Sequence, residues 1–293
     1  MRRHFPKIVC IYCEPALYRA CHEVKKRRPG ANGAIKGRTR APRRLEVMVE
    51  PSLAPSIRAE PALKNRLLGA LPNQVMCCLR PHLKPVFLTR GKVLCEVDEP
   101  LRRVYFVESG AVSLVSVFED GTTAEMATVG REGVVGIGTL LGGEHALGRY
   151  VVPLPGYAWG VDALRFQAAL QDHAQLRAAC EAYAQAFLGN LLQNVACNAS
   201  HRVEQRCARW LLMCDDQAEG DAFELTQEYL AEMLGVRRST VTVVARGLQD
   251  TGLICYHRGA IRVVDRERLE AVACECYQVV HDRYERSLMQ ALG

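Results

Sequence analysis

The stretch from Phe223 to Val264, FELTQEYLAEMLGVRRSTVTVVARGLQDTGLICYHRGAIRVV, constrains this chain most. Its pattern predicts two helices at a tight turn, a third short helix, and then a two-stranded hairpin. Thr226 is placed to cap the first helix, and Glu228 sits in its first turn, where a carboxylate suits the helix dipole. Leu230, Met233 and Leu234 make its apolar stripe. Gly235 then supplies the left-handed residue on which a helix ends. Arg237, Arg238, Ser239 and Thr240 open the next helix, whose stripe is Val241, Val244 and Leu248, and Gly252 ends it. Leu253–Tyr256, a turn at Arg258-Gly259 and Ile261–Val264 complete a hairpin. This is the pattern of a winged helix-turn-helix. A helix that opens on arginines and hydroxyls suits the major groove of double-stranded DNA, since arginine forks onto guanine and hydroxyls bond bases or phosphates. The plainer alternative is a small helical domain whose arginines are merely solvated.

Arg237, Arg238, Ser239, Thr240 and Thr242 are therefore the candidates for bases and phosphates. Arg246, further along the helix, is a candidate phosphate contact, and His257, Arg258 and Arg262 in the wing are candidate backbone contacts.

Charge separates the chain into two unlike parts. The first 47 residues hold 13 Lys or Arg and 3 Asp or Glu, a charge of +10, so the rest carries −4 of the total of +6. The body is mildly acidic, which argues against broad non-specific nucleic-acid binding by it. Lys25–Arg44 is rich in Lys, Arg, Gly and Pro with almost no core-forming residues, so residues 1–60 read as a basic, disordered extension. Two readings stay open: an arm that touches phosphates, or a true start at Met48. No run of 18 apolar residues and no apolar core of signal-peptide length occurs, which predicts a cytoplasmic protein without a membrane span. Thirteen cysteines are many, but in a reducing compartment residues such as Cys180, Cys207 and Cys255 read as small core residues.

Residues 61–170 change texture twice. Pro61–Arg80 reads as short helices. From Lys84 to Trp159 come short alternating segments: Val86–Leu88, Val93–Glu96, Val104–Val107, Val112–Val117, Ala124–Thr128, Val134–Ile137, Tyr150–Val152 and Tyr157–Gly160. Glycines punctuate them, which suggests an antiparallel roll or jelly roll. Asp162 is placed to cap a helix over Ala163–Leu170. A long helix follows from His173 to about Asn198. Leu176, Cys180, Tyr183, Phe187, Leu191, Asn194 and Asn198 recur along it at spacings of four and three, an a/d-like seam. In a DNA-binding protein the partner of such a seam is the same helix of a second subunit; the alternative is packing on the chain's own roll. Residues 171–199 are thus a candidate dimerisation helix, 200–280 a DNA-binding domain, and 281–293 a tail. His201–Met213 leads into that domain as an amphipathic helix.

A roll, a long helix and a C-terminal winged helix, in this order, resemble the Crp–Fnr family of bacterial transcription regulators. The residues that carry the resemblance are Val104-Tyr105-Phe106-Val107-Glu108-Ser109-Gly110-Ala111-Val112, the Asp120-Gly121 turn, the glycines around Gly133–Gly136, His201-Arg202-Val203-Glu204-Gln205-Arg206, Leu225-Thr226-Gln227-Glu228 and Leu234-Gly235-Val236. The resemblance implies an α+β chain: an N-terminal antiparallel β-roll of the cyclic-nucleotide-binding type, a dimerisation helix and a winged helix-turn-helix. It implies a homodimeric, sequence-specific regulator that is not an enzyme, with double-stranded DNA, RNA polymerase and a small-molecule effector as partners. The rival from another class is a jelly-roll small-molecule-binding protein or enzyme, but no Ser/His/Asp set, metal triad or P-loop is present.

Three departures from the family pattern matter. Where cyclic-AMP binders have Gly-Glu-Leu, this chain has Gly136-Ile137-Gly138, and the ribose-binding glutamate is absent. Gly136, Ile137 and Arg149 mark the candidate effector site, in which Arg149 reaches a phosphate only through an altered loop, so cyclic AMP is not the expected ligand. The roll then binds another ligand, or none. Second, no cofactor is expected. An iron–sulfur cluster on Cys10, Cys13 and Cys21, with Cys77, Cys78 or Cys95 as fourth ligand, is the alternative the Fnr-like members suggest. Haem would need an axial ligand such as His82, His145 or His173. Third, in the recognition helix Arg238 is retained, Ser239 stands for the family's glutamate and Val243 for its arginine, so the family's operators do not carry over.

Overall fold

The computed structural model describes residues 63–292. The basic extension and the Cys10, Cys13 and Cys21 trio lie outside the described residues.

Two short helices come first, α1 (Arg66–Gly69) and α2 (Asn73–Leu79), followed by a 3₁₀ turn over Arg80–His82. Asn65 caps α1 by accepting from the Leu68 amide, and its own amide donates to the Val107 and Gly133 carbonyls. One fully buried side chain thereby fastens the helical entry to the sheet. The sheet consists of β1 (Lys84–Leu88), β2 (Val93–Cys95), β3 (Arg103–Val117), β4 (Thr123–Val129), β5 (Val134–Val135) and β6 (Arg149–Asp162). All pairings are antiparallel, in the order β1-β6-β3-β4, with β2 on β6 and β5 on β3. Between β5 and β6 runs a short helix, α3 (Ile137–Leu140).

Two pairs of expected strands are fused. Val104–Val107 and Val112–Val117 are one strand, as are Tyr150–Val152 and Tyr157–Gly160. The glycines and proline between them are bulges within the β3–β6 pair rather than turns. Gly110 has φ +75°, and a Cβ there would meet the Leu154 carbonyl oxygen at 2.5 Å, so the two backbones approach too closely for any other residue.

Asp162 caps α4 (Ala163–Asp172) by accepting from the Arg165 amide, as its position suggests. The long helix α5 spans Ala174–Ser200. Here the seam departs from expectation. Leu176, Cys180, Tyr183 and Phe187 are buried in the core of their own chain, with Leu191 packed at its edge. Their partners are the roll and a C-terminal helix, α10 (Cys276–Leu292), which sequence reading left as a tail from residue 281. Tyr284 of α10 stacks on Tyr183 at a centroid separation of 6.0 Å, and Arg283 donates to the Gly189 carbonyl. The apolar face of α5 left exposed is a different one: Leu188, Leu192 and Val195, at 56%, 64% and 70% exposure.

His201 and Arg202 are extended, so α5 and the following α6 (Val203–Gln217) are separate helices rather than one continuing element. A second core then forms around Leu211, Leu212, Leu225, Val241 and Leu269. It contains β7 (Phe223–Glu224), α7 (Gln227–Leu234), α8 (Arg238–Asp250), β8 (Ile254–His257), β9 (Ala260–Val263) and α9 (Arg266–Val272). No third short helix stands between α8 and the hairpin. The apolar stripe of α8 runs unbroken to Leu248, and the chain turns at Gly252 directly into β8. The wing has a third strand, β7, in the order β7-β9-β8. Among the described residues no helix is long and apolar enough to cross a membrane.

Candidate nucleic-acid interface

Thr226 caps α7 by accepting from the Tyr229 amide at 3.2 Å. Gly235 ends it in the left-handed conformation, with φ 62° and ψ 38°. The Val236 amide returns to the Ala231 carbonyl, which sets the tight turn into α8. Val241, Ala245 and Leu248 are buried, so the opposite face of α8 points outward. That outward face carries Arg238, Ser239, Val243 and Arg246, all exposed, with Arg237 just before it. Arg237 is not in the helix but at its N-cap, in an extended conformation and without a side-chain cap.

Two of the candidates are held by α7. Arg238 Nη1 lies 2.9 Å from Glu228 Oε1. The Thr242 hydroxyl donates to Gln227 Oε1 at 2.7 Å. Thr240 is half-buried, and Val243 is 72% exposed.

The wing is fixed from three directions. Arg258 and Gly259 both have positive φ, 50° and 84°, as a two-residue hairpin turn demands. The Gly259 carbonyl accepts from the Leu225 amide. Tyr256 donates its amide to Gln249 Oε1 and its hydroxyl to the Leu225 carbonyl. His257, Arg258 and Arg262 are left exposed. Thr226, Gln227, Glu228, Arg238, Tyr256 and Arg258 line one cleft between wing and recognition helix.

The candidate effector site is differently furnished. Gly136, φ 102°, precedes α3, and Ile137 is buried in the core. Arg149 is already engaged: its Nε lies 2.7 Å from Glu96 Oε2. The loop after α3 closes on itself and on the β2–β3 connection, with Gly143 N to Gly138 O at 2.7 Å, Leu101 N to Glu144 O at 2.7 Å and Ala146 N to Glu99 O at 2.9 Å. The Tyr150 phenol is buried beneath it. Burial pushes the phenol up to about 12, with the Ile137 and Gly136 amides beside its oxygen opposing the shift.

The roll and the DNA-reading core meet at Glu125 of β4. Its Oε1 accepts from the Ser113 and Thr128 hydroxyls at 2.6 Å each, and its Oε2 from Trp210 Nε1 of α6 at 2.7 Å. Desolvation raises this carboxyl above its ordinary range despite the three donors.

The cysteines do not all behave as core residues. Cys180 and Cys207 are buried as expected, but Cys255 is exposed, as are Cys77 and Cys78. Cys197, Cys274 and Cys276 form a small cluster of their own beside His201, apart from both cores. Reading cysteines singly misses it. The signal in the sequence is the pair of spacings C-x3-H at 197–201 and C-x-C at 274–276.

The comparisons with known proteins agree with this layout. Residues 85–173 match the cyclic nucleotide-binding domain, and residues 205–272 match the Crp-like helix-turn-helix domain, together more than half of the chain. The chain is 28% identical over 186 residues to the Global nitrogen regulator of Synechococcus elongatus, covering 59% of this chain and 82% of that protein. Its fold is that of FixK2 from Bradyrhizobium japonicum, with TM-score 0.57, 19% identity, and coverage of 66% of this chain and 98% of that one. It is also that of a CRP-family transcriptional regulator from Thermus thermophilus, with TM-score 0.54, 20% identity, and coverage of 65% and 96%. With a sensory-type roll ahead of a winged helix-turn-helix, this chain belongs to the Crp–Fnr family of DNA-binding transcription regulators.

Proposed function

We propose that the chain works as a homodimer that reads an inverted repeat in double-stranded DNA through α8. The observation that carries this is the outward face of α8: Arg237, Arg238, Ser239 and Arg246 are exposed at one edge of a rigidly braced domain. Arg238 and Ser239, in the first turn, are assigned to base edges, with Thr240 and Thr242 beside them; Arg237 and Arg246 are assigned to phosphates. His257, Arg258 and Arg262 follow the backbone from the wing. Val243 supplies a methyl contact to thymine, the one base-edge interaction an aliphatic side chain makes.

Dimerisation is assigned to Leu188, Leu192 and Val195, because these are the apolar residues of α5 that the chain leaves uncovered. Cyclic AMP is not assigned as the effector: Ile137 is core, and Arg149 is neutralised by Glu96. The roll acts as scaffold or as sensor of another ligand, without catalysis, and RNA polymerase is the further partner in the cytoplasm. Selection of bound sequences from a random duplex pool tests the reading. Enrichment of an inverted repeat with half-sites about one helical turn apart is expected. Recovery of no common sequence would refute it.

A further inference from the structure

The end of α5 and the residues between α9 and α10 place three thiols and one imidazole together. The ligand atoms of Cys197, His201, Cys274 and Cys276 all lie within 4.8 Å of one another. We propose that these four residues form a binding site for a single divalent ion of the zinc class, in a Cys3His tetrahedron.

The spacing fits one ion. With metal–sulfur bonds of about 2.3 Å and metal–nitrogen bonds of about 2.0–2.1 Å, tetrahedral ligands stand roughly 3.8 Å apart for two sulfurs and roughly 3.6 Å for sulfur and nitrogen. Cys197 Sγ and Cys274 Sγ are 3.5 Å apart, and Cys276 Sγ and His201 Nδ1 are 3.6 Å apart. A cluster with several irons distributes its thiolates over separate metals, so its ligand atoms cannot all crowd around one point. A Cys197–Cys274 disulfide would leave Cys276 and His201 without a role in the same cluster. Soft thiolate ligands with one imidazole in a closed, four-ligand set select zinc over the hard cations.

The surroundings are those of a metal-binding histidine. His201 Nε2 lies 3.2 Å from Glu275 Oε1, so that nitrogen carries the proton and Nδ1 keeps its lone pair toward the three sulfurs. Gln193 Nε2 donates to Cys276 Sγ at 3.1 Å, a bond that a thiolate accepts better than a thiol. Three thiolates around a dication leave one negative charge. Arg209 answers it: the residue is 6% exposed, its Nε completes no hydrogen bond, and its guanidinium acts on the Cys197 sulfur. Arg206 feels the same two sulfurs, Cys197 and Cys274, and its Nη2 donates to the Leu234 carbonyl at the helix-turn-helix turn. The three cysteines are each at most 1% exposed, so the site is closed and structural rather than catalytic. The ion would bind the extended joint between α5 and α6 to the start of α10.

Metal analysis of the full chain tests this, with Cys10, Cys13 and Cys21 replaced by serine so that bound metal is not theirs. One zinc per chain is expected, as is one cobalt per chain on exchange, with the intense visible bands of a tetrahedral thiolate site. Cys276→Ser should abolish stoichiometric binding. Glu275→Gln should keep the cobalt bands but weaken affinity about 10–100-fold, an effect that a purely packing role would not produce. Cys77→Ala/Cys78→Ala should change neither. Where Cys276→Ser fails to fold, the cobalt bands and the Glu275→Gln shift decide alone. The proposal is overturned by a chain that takes up no cobalt with these bands, by iron with acid-labile sulfide in their place, or by binding that survives Cys276→Ser in a folded protein.

Discussion

Arg238 and Glu228 form an ion pair across the helix-turn-helix turn, with Nη1 and Oε1 at 2.9 Å. Both side chains are more than half exposed, 66% and 56%, so the pair adds at most about 1 kcal/mol to stability. Its value is orientation: Glu228 holds the guanidinium at the leading end of α8. Arg238→Ala should leave thermal stability nearly unchanged, cost about 1–3 kcal/mol of affinity on a selected operator, and relax preference at one guanine per half-site. Titration of selected and single-base-changed duplexes measures this. Unchanged preference would mean that α8 does not enter the groove as assigned.

Arg246 lies two turns further along α8, where the assigned docking would carry the helix away from the groove floor. Arg246→Ala should weaken all duplexes by a similar factor. It should also reduce the slope of log affinity against log salt by about 1 per lost phosphate contact. A change confined to one sequence would reassign Arg246 to a base.

Leu188 and Leu192 face solvent on α5 while Leu176, Tyr183 and Phe187 do not. Leu192→Asp should therefore convert a dimer into a folded monomer, because it places a charge in the interface and nothing in the core. Phe187→Asp should instead unfold the chain. Sedimentation and circular dichroism separate the two outcomes; a Leu192→Asp protein that remains a dimer would place the interface elsewhere.

Glu125 serves Ser113, Thr128 and Trp210 at once. Glu125→Ala strands those donors and should lower stability by about 1–3 kcal/mol. Glu125→Gln should cost less and alter the pH profile. Burial raises this carboxyl, so folding favours its protonated form; the stability that gives is complete below the ordinary carboxylate range and is lost as pH rises through the raised value. Thermal melts of the wild type should show this decline, and melts of Glu125→Gln should lack it.

The cyclic-AMP assignment is tested by calorimetry. No binding at micromolar concentration is expected for the wild type, given the Arg149–Glu96 pair at 2.7 Å. Saturable micromolar binding would refute it.

What the sequence revealed follows from the range of the forces involved. Thr226, Gly235, Gly252 and the Arg258-Gly259 turn are local: each residue's own backbone preference fixes the nearby structure, so cap, turns and wing were all legible. The seam on α5 was not. Periodicity identifies an apolar face without naming what covers it, and α10, which covers it, lies 94 residues away at the Asn190–Tyr284 hydrogen bond. Short strands were over-divided because glycines such as Gly110 read as turns, while the paired β3 and β6 absorb it as a bulge. The cysteine cluster is wholly non-local: Cys197 and Cys274 are 77 positions apart and meet with the whole second core between them in sequence.

That last meeting has a mechanical corollary. Residues 203–272 leave the body of the protein at His201 and rejoin it at Cys274, so the exit and the return of the DNA-binding module lie side by side. Its exit and its return share one anchorage, the contact of Cys197 with Cys274 at 3.5 Å. Trp210 on Glu125 is one of several further ties: Gln217 donates to Glu132 and accepts from the Arg131 amide, Lys64 pairs with Glu219 and Arg90 with Glu224, and Ala111, Val115 and Leu154 of the roll pack into the second core. Because Glu125 is shared between β4 and α6, a change in the roll at that carboxylate would act on the DNA-binding module directly, with no slack linker between them to absorb it.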